Sequence, residues 1–457
     1  MKLKTKVRFW YTAARIAGAL RPGRRTGAAW PAVETAAGIS VVIPSRNGKE
    51  LLAAQLPGIV RELERFPAEI VVVDNGSDDG TAEWLRSVWP QVRVEISPTP
   101  LSFARAVNRG IGCARFSHVC LLNNDMLLEP DFFASLVRAF EQVPDLFSAT
   151  AQIFFPKGAR REETGKAVYA QPEPEDFPIR CDEPLPGEDL TYVLYGSGGC
   201  TLYDAAKLRA LGSMDPAYEP VYVEDLDIGY RAWQRGWPSV YVAGAVLEHR
   251  HRATASRYYT PEQLDEILEI NYLKFVARAV ASREVFGKLW MQALERLRIR
   301  AGLGPAPRNA LRAAAGIALG GGPAAAAAFS EELLLALSGG GIAVFPGRAV
   351  LGTPRTLVAV SQLNSPAGPG VGSAGGLAAG PGAVLVAFTD MLETPASELL
   401  AACAEVVLVR RSDGPLAFRA ALRQTIRKWR PEVAYLQGDD MAQFAGDCAP
   451  ARPVTSS

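Results

Sequence analysis

A chain of 457 residues exceeds one ordinary domain and implies two or three units. Its 48% hydrophobic and 21% charged content is that of a globular protein with a sizeable core, and a net charge of +1 excludes nucleic-acid binding driven by bulk charge. Six cysteines are scattered without a C-x-x-C pair, which fits buried thiols in a reducing cytoplasm and supports neither a disulfide framework nor a zinc site.

The first 36 residues form a basic lead-in. Lys2, Lys4, Lys6, Arg8, Arg15, Arg21, Arg24 and Arg25 have no acid among them, and Trp10, Ala13, Ala17 and Leu20 share roughly one helical face. Two readings stay open: a helix lying on an anionic membrane surface, or a solvated or locally packed tail. The apolar run Ile16–Leu20 is too short for a signal-peptide core. The uncharged stretch Ala313–Ser330 is mostly Ala and Gly and contains Pro323. No transmembrane helix is expected.

From Ile39 the pattern alternates. Strands are expected at Ile39–Ile43, Glu69–Val73, Val92–Ile96 and Val119–Leu122. Helices are expected at Glu50–Arg65, Asp79–Val88, Ser102–Ala114 and Asp131–Gln142, with a kink or late start at Pro57 and caps at Ser102 and Asp131. Continuous apolar strands separated by helices indicate a doubly wound α/β sheet, parallel and covered on both faces. Residues 156–190 read as a loop rich in Pro, Glu and Asp. Strand character returns between Leu190 and Tyr203, followed by helices at Asp204–Leu211 and Glu224–Arg235, a strand at Ser239–Ala243 and a helix at Pro261–Arg283. The Ala/Gly-rich region 301–347 reads as a helical linker. A new α/β pattern then begins, with strands at Arg355–Ser361, Ala383–Phe388, Glu405–Val409 and Val433–Leu436 and helices at Pro395–Cys403 and Phe418–Trp429.

Chemistry concentrates at strand ends, where open α/β sheets bind ligands. The first strand ends in Pro44-Ser45-Arg46-Asn47-Gly48, which is not a dinucleotide fingerprint. The second ends in Asp74-Asn75-Gly76-Ser77-Asp78-Asp79-Gly80-Thr81. This is not a calcium loop, because Leu85 stands where a bidentate Glu is required. Asp74 can accept hydrogen bonds from a ribose or base, or cap its own turn. The fourth strand ends in Asn123-Asn124-Asp125, hard oxygen donors suited to Mg2+ or Mn2+ carrying a diphosphate, or an Asx turn. Glu224-Asp225-Leu226-Asp227 opens a helix: a general base, or acids stabilising a helix start with an Asp227–Arg231 ion pair. His249 and His251 form an H-x-H pair suited to a metal or a phosphate, beside Arg250, Arg252 and Arg257.

Taken in order, Val41–Asn47, Val72–Thr81, Leu121–Asp125 and Glu224–Asp227 with Arg231 resemble a family 2 glycosyltransferase of the bacterial rhamnosyltransferase-like kind. Leu101–Gly110 resembles the family's G-F-A-x-x-x-N-x-G segment, with Leu101-Ser102 in place of its glycine. The resemblance covers about residues 38–280. It implies the GT-A fold and a nucleotide-diphosphate sugar donor. Pro44 and Asn47 would shape the nucleotide pocket, Asp74 would contact base or ribose, and Asn123 and Asn124 would adjoin the donor. Asp125 would hold Mg2+ or Mn2+ with His249 or His251, and Asn123 replaces the first Asp of the family's D-x-D. Asp225 would be the catalytic base with Glu224 beside it. Arg231 would support the acids or the phosphates, and Ser197, Gly198 and Gly199 would lie beside a glycan or lipid-linked acceptor. Transfer would invert the anomeric centre, in cell-surface polysaccharide synthesis.

Residues 353–457 resemble the opening of a GT-B acceptor-side domain, a partial Rossmann-like unit expected to have no activity of its own. The expected divisions are 1–36, 37–285, 286–352 and 353–457. The alternative function is a non-catalytic nucleotide-sugar-binding or scaffold module. Asp125 and Asp225 favour the enzyme, because a dead copy loses its acid–base groups first.

Overall fold

Strand β1 (Ala36–Ser45) carries Val41, Val42 and Ile43 with no exposed surface, and β-branched residues of this kind fill both faces of a covered sheet. The structure, a computed structural model, describes residues 2–22, 31–155, 165–170, 173–250, 258–321, 327–349, 354–363, 382–438 and 440–456. Helix α1 (Leu3–Ala19) precedes β1. Then α2 (Lys49–Leu63), β2 (Ala68–Asn75), α3 (Thr81–Val88), β3 (Arg93–Ser97), α4 (Phe103–Cys113) and β4 (Phe116–Leu122) follow in strict alternation. β1 pairs in parallel with β2 and β4, and β2 with β3, as the apolar runs imply. Helix α2 continues through Pro57. Ser102 caps α4 through its Oγ, which accepts from the Arg105 N–H at 3.4 Å. Asp131 makes no cap bond; its backbone is left-handed (φ 63°) and its side chain pairs with Arg65 at 2.7 Å.

After β4 the sheet turns mixed. β5 (Met126–Leu128), α5 (Phe132–Gln142), β6 (Ser148–Phe154), β7 (Ala167–Tyr169), β8 (Ile179–Cys181), β9 (Tyr192–Val193), β10 (Cys200–Asp204), α6 (Ala205–Ala210), α7 (Glu224–Gln234) and β11 (Ser239–His249) complete the unit. The strand order is β3-β2-β1-β4-β10-β6-β11-β5, with β9 on β11. β10 runs antiparallel to both β4 and β6, and β5 antiparallel to β11. The buried strand β6 lacks the unbroken apolar run of its neighbours, because Ser148, Thr150 and Gln152 alternate with its apolar residues. Its hydroxyls are satisfied inside the sheet: Ser148 Oγ donates to Ser239 Oγ at 2.7 Å, and Thr201 Oγ1 donates to Thr150 Oγ1 at 3.0 Å.

Helices α8 (Pro261–Ala279), α9 (Arg283–Arg300) and α10 (Pro305–Gly320) form a packed layer with α1. The stretch expected as a linker is therefore a helical support. Ala310, Ala314 and Ala318 are fully buried along α10, and small residues at that spacing let helices approach closely. The basic lead-in is packed along one face. The Trp290 indole N–H donates to the Ala14 carbonyl at 3.1 Å, and a Cβ at Gly18 would stand 2.5 Å from the indole nitrogen. The Arg21 guanidinium lies 3.7 Å from the Phe286 ring centre and donates to the carbonyls of Val276 and Val280.

A second sheet is built from β12 (Ile342–Pro346), β13 (Thr356–Val360), β14 (Ala383–Thr389), β15 (Cys403–Arg410), β16 (Val433–Gln437) and β17 (Arg452–Ser456), in the order β12-β15-β14-β13-β16-β17. Only its edge strand β12 is antiparallel. β12 falls inside the stretch expected as linker, so this sheet begins before residue 353. Helix α11 (Glu331–Leu337) precedes the sheet, while α12 (Ser397–Ala402) and α13 (Gly414–Trp429) lie between its strands. One buried apolar cluster runs from Tyr192 and Trp233 through Leu334 to Phe418, joining the two sheets' supports. Among the described residues, no helix is long and apolar enough to cross a membrane.

Candidate active site

Register sets the first edge of the site. Ser45 at the end of β1 stands opposite Asp74 at the end of β2. Asp74 is buried, and its Oδ1 accepts from the Ser77 N–H at 3.2 Å, which caps its own turn. Asn47 adopts a left-handed backbone (φ 50°). Its Oδ1 accepts from the Asp78 N–H and its own N–H donates to Ser77 Oγ, both at 2.9 Å. Asn47 and Asp74 thus tie two turns together at the edge of a cleft of about 660 Å3, while Pro44, Ser45 and Arg46 line it.

The end of β4 is fixed from three directions. The Asn123 N–H donates to the Gly199 carbonyl at 2.8 Å, Asn124 Nδ2 donates to Ser45 Oγ at 2.8 Å, and Gln55 Nε2 donates to the carbonyls of Asn123 and Met126. Gln55 has no signal in the sequence: it is a polar position on an otherwise apolar helix face, and only the fold brings it beneath β4. The locked turn presents Asp125, 5% exposed, to His249 Nε2 at 3.4 Å. Pairing of β5 with β11 sets Met126 opposite His249, and the Arg250 N–H closes on the Asp125 carbonyl at 2.9 Å. His251 lies outside the described residues.

Asp125 and His249 offer one carboxylate and one imidazole, a donor set that accepts Mg2+ or Mn2+. Among the described residues, no group of three or more His, Cys, Asp or Glu side chains converges to hold a metal. Mg2+ usually keeps phosphate and water oxygens beside one or two carboxylates. The pair therefore fits a cation that shares its shell with a diphosphate.

The acids open α7 after a strained turn. Tyr222 and Val223 have φ of 74° and 79°, a left-handed conformation rare for a β-branched residue. Asn271 of α8 holds the turn. Its Nδ2 donates to the carbonyls of Tyr218, Val221 and Tyr222 at 2.7, 3.0 and 3.1 Å. Beyond the turn, Asp225 Oδ2 accepts from the Gly198 N–H at 3.1 Å and Oδ1 from the Leu226 N–H at 2.8 Å. Burial pushes the Asp225 carboxyl up from its ordinary value, and these backbone donors oppose that shift. Glu224 is pushed well above the usual carboxylate range, first by burial and then by the neighbouring Asp225 charge; among the described residues its Oε2 has no hydrogen-bond partner. Of the two adjacent carboxyls, Glu224 is thus pushed further towards its protonated form than Asp225.

The residues expected beside an acceptor join the two halves. Gly198 holds Asp225. Gly199 lies so close to the Asn123 amide that a Cβ would stand 2.6 Å from Nδ2, and the Ser197 N–H donates to Thr150 Oγ1 at 3.2 Å. All three line the cleft. Arg231 does not. Its Nε donates to Asp227 Oδ2 at 2.7 Å and its other nitrogens donate to the carbonyls of Leu211 and Ser213, so these bonds support the acid helix, one of the two roles expected for it. Asp227 is completed by the Tyr218 hydroxyl at 2.9 Å. Sequence reasoning also missed Arg46 as a lining cation. Its guanidinium lies 4.1 Å from the Tyr258 ring centre, and its buried Nε has no partner among the described residues. Phe177, Ile179, Tyr195, Leu264 and Leu268 add an apolar wall that residue spacing could not reveal.

The family model described as "Glycosyltransferase like family 2" matches residues 36–265, half of the chain. An uncharacterized protein, y4gI, of Sinorhizobium fredii is 25% identical over 262 residues, covering 54% of this chain and 28% of that protein. The N-acetylglucosaminyl-diphospho-decaprenol L-rhamnosyltransferase of Mycobacterium tuberculosis is 28% identical over 215 residues, 41% of this chain and 68% of that enzyme. The chain thus spans about a quarter of one relative's length and two thirds of the other's. Among solved structures, the mannosyltransferase PcManGT from Pyrobaculum calidifontis, in complex with GDP-Man and Mn2+, is similar with a TM-score of 0.39 at 16% identity, covering 69% of this chain and 97% of that one. A fragment of S. aureus TarS has a TM-score of 0.41 at 13% identity, with 57% and 72% covered. The family match spans the same stretch that brings Asp125 and Asp225 to one cleft, and on it the chain belongs to glycosyltransferase family 2, with the GT-A fold.

Proposed function

We propose that the protein moves a hexosyl or deoxyhexosyl unit, with inversion, from a nucleotide-diphosphate donor to a hydroxyl of a glycan or lipid-linked acceptor in cell-surface polysaccharide synthesis. One observation carries the reading: a half-buried carboxylate, Asp225, is oriented by two backbone N–H groups in the same cleft as the Asp125–His249 pair. The rhamnosyltransferase name of the mycobacterial relative supports a deoxyhexose and a lipid-linked diphosphate acceptor.

On this reading Pro44, Ser45, Arg46, Asn123 and Asn124 form the donor side, with Asn47 and Asp74 shaping its edge. Asp125 and His249 would hold Mg2+ or Mn2+, which when bound draws negative charge from the departing diphosphate. Asp225 takes the proton of the acceptor hydroxyl as its oxygen attacks the anomeric carbon. The bond from that carbon to the diphosphate oxygen breaks on the opposite face, which inverts the centre. A protonated Glu224 spares the site a second charge beside the base. Ser197, Gly198 and Gly199 border the acceptor. The scattered cysteines, without a C-x-x-C pair, support a cytoplasmic location. The second sheet carries no activity of its own in this reading, and its shared apolar core supports a bracing role.

The test is a panel of UDP-, dTDP- and GDP-sugars with Mg2+ or Mn2+, followed by product analysis for anomeric configuration. Metal-dependent transfer with inversion is expected from at least one donor. Donor binding without turnover, in the native protein and in Asp225→Asn alike, would instead identify a binding module.

A further inference from the structure

Helix α1 is held from one side. Ala14, Ala17 and Gly18 are buried in the helical layer, and Arg21 is spent on the Phe286 ring and two carbonyls of the α8 end. The opposite face carries Phe9, Ile16 and Leu20, which are 64%, 57% and 66% exposed. At about 100° per residue these positions fall within about 40° of one another, so they form one stripe. By the same spacing Lys2 and Lys6 lie within about 40° of one edge of the stripe, and Arg8 and Arg15 about 80–100° beyond the other. All four are exposed, and no acid precedes Glu34 in the sequence. Single exposed apolar side chains are ordinary on a protein surface. A stripe of Phe, Ile and Leu flanked on both sides by cations is the pattern of a helix lying in a lipid–water interface.

We propose that this face of α1 docks the protein on a bilayer bearing anionic headgroups. Charge complementarity selects that occupant. The four cations meet headgroups, while Phe9, Ile16 and Leu20 enter the boundary with the acyl chains. The helix is already folded and anchored by the bond from Trp290 to Ala14, so docking does not have to order a tail. This surface stands apart from the cleft, and the inference does not depend on sugar transfer.

The full chain is mixed with phosphatidylcholine vesicles with and without phosphatidylglycerol, and the bound fraction is measured by flotation. Binding is expected only with phosphatidylglycerol and falls as salt rises. Phe9→Gln with Ile16→Gln weakens it by roughly tenfold or more, as does Lys6→Glu with Arg8→Glu, with unchanged melting temperatures because all four side chains are exposed. The proposal is overturned by absent binding, by equal binding to neutral vesicles, or by full binding of the Phe9/Ile16 double variant. A native dimer that this double variant turns into a monomer, with no vesicle binding by either, would assign the face to a second copy instead.

Discussion

Glu224 and Asp225 are neighbours in sequence with different surroundings. Backbone N–H groups reach both oxygens of Asp225, whereas Glu224 Oε2 is buried with no partner among the described residues. If Asp225 is the base, Asp225→Asn lowers turnover by about 10²- to 10⁴-fold and leaves donor affinity intact; full transfer by this variant would remove it from the mechanism. Burial raises its carboxyl, so kcat/KM should decline as pH falls through a value above that of an ordinary aspartate. Glu224 gives a separate stability signature. Folding raises its pKa, so the folded chain holds the proton where the unfolded chain has lost it. Its contribution is fully present below the unfolded value and is lost as pH rises through the folded one. Glu224→Gln should therefore melt higher than the native protein at neutral pH, with the difference vanishing at acid pH. Equal melting curves at both pH values would contradict the burial argument. Asp125→Ala is expected to abolish the metal dependence of donor binding, and calorimetric titration with and without Mn2+ measures this directly.

Elements place these residues through contacts distant in sequence. The left-handed turn at Tyr222–Val223 aims the start of α7, and Asn271 of α8 satisfies three of its surrounding carbonyls. Removing that amide leaves the buried Tyr218 carbonyl and two half-buried carbonyls without this donor, at about 1–3 kcal/mol for a buried group left unsatisfied. Asn271→Ala should lower thermal stability and reduce kcat more than it changes donor affinity. A change confined to donor affinity would show that the turn does not position the base. At the other end of the helical layer, Gly18 admits the Trp290 ring. Gly18→Leu should cost roughly 1–3 kcal/mol by overpacking, read by chemical denaturation. Both contacts also show why residue spacing was insufficient. Asn271 reads as one polar position among many on a long helix, and Gly18 as a small residue in a basic tail.

Across the whole molecule, the two sheets are joined by polar bonds as well as a shared core. The Asp189 N–H donates to the Val344 carbonyl at 3.0 Å, the Val344 N–H donates to Thr191 Oγ1 at 3.1 Å, and Arg427 reaches Asp145 Oδ2 at 2.6 Å and the Gly236 carbonyl. Cooperative unfolding follows from such continuity. Calorimetry should show one transition for the chain, and two well-separated transitions would mean that the second sheet folds as an independent unit.

Sequence patterning by itself determined the parallel half of the first sheet. Its strands are unbroken apolar runs, and each ends in polar residues that a buried strand does not tolerate without a purpose. Pro44, Asn123, Asn124 and Asp125 were legible for that reason, and Asp225 was legible as an acid at a helix start. Tertiary structure alone decided the rest. The mixed half depends on β6, whose hydroxyls are satisfied only by strands distant in the chain. His249 meets Asp125 only because β5 pairs with β11, and Gly198 reaches Asp225 only across the cleft. Arg231 pairs with Asp227 as their spacing predicts, but its bonds to the Leu211 and Ser213 carbonyls come only with the fold. Local patterns encode burial and period, which are properties of one segment. Partner choice for a buried polar group depends on which distant segment the fold brings within about 3 Å, the reach of a hydrogen bond.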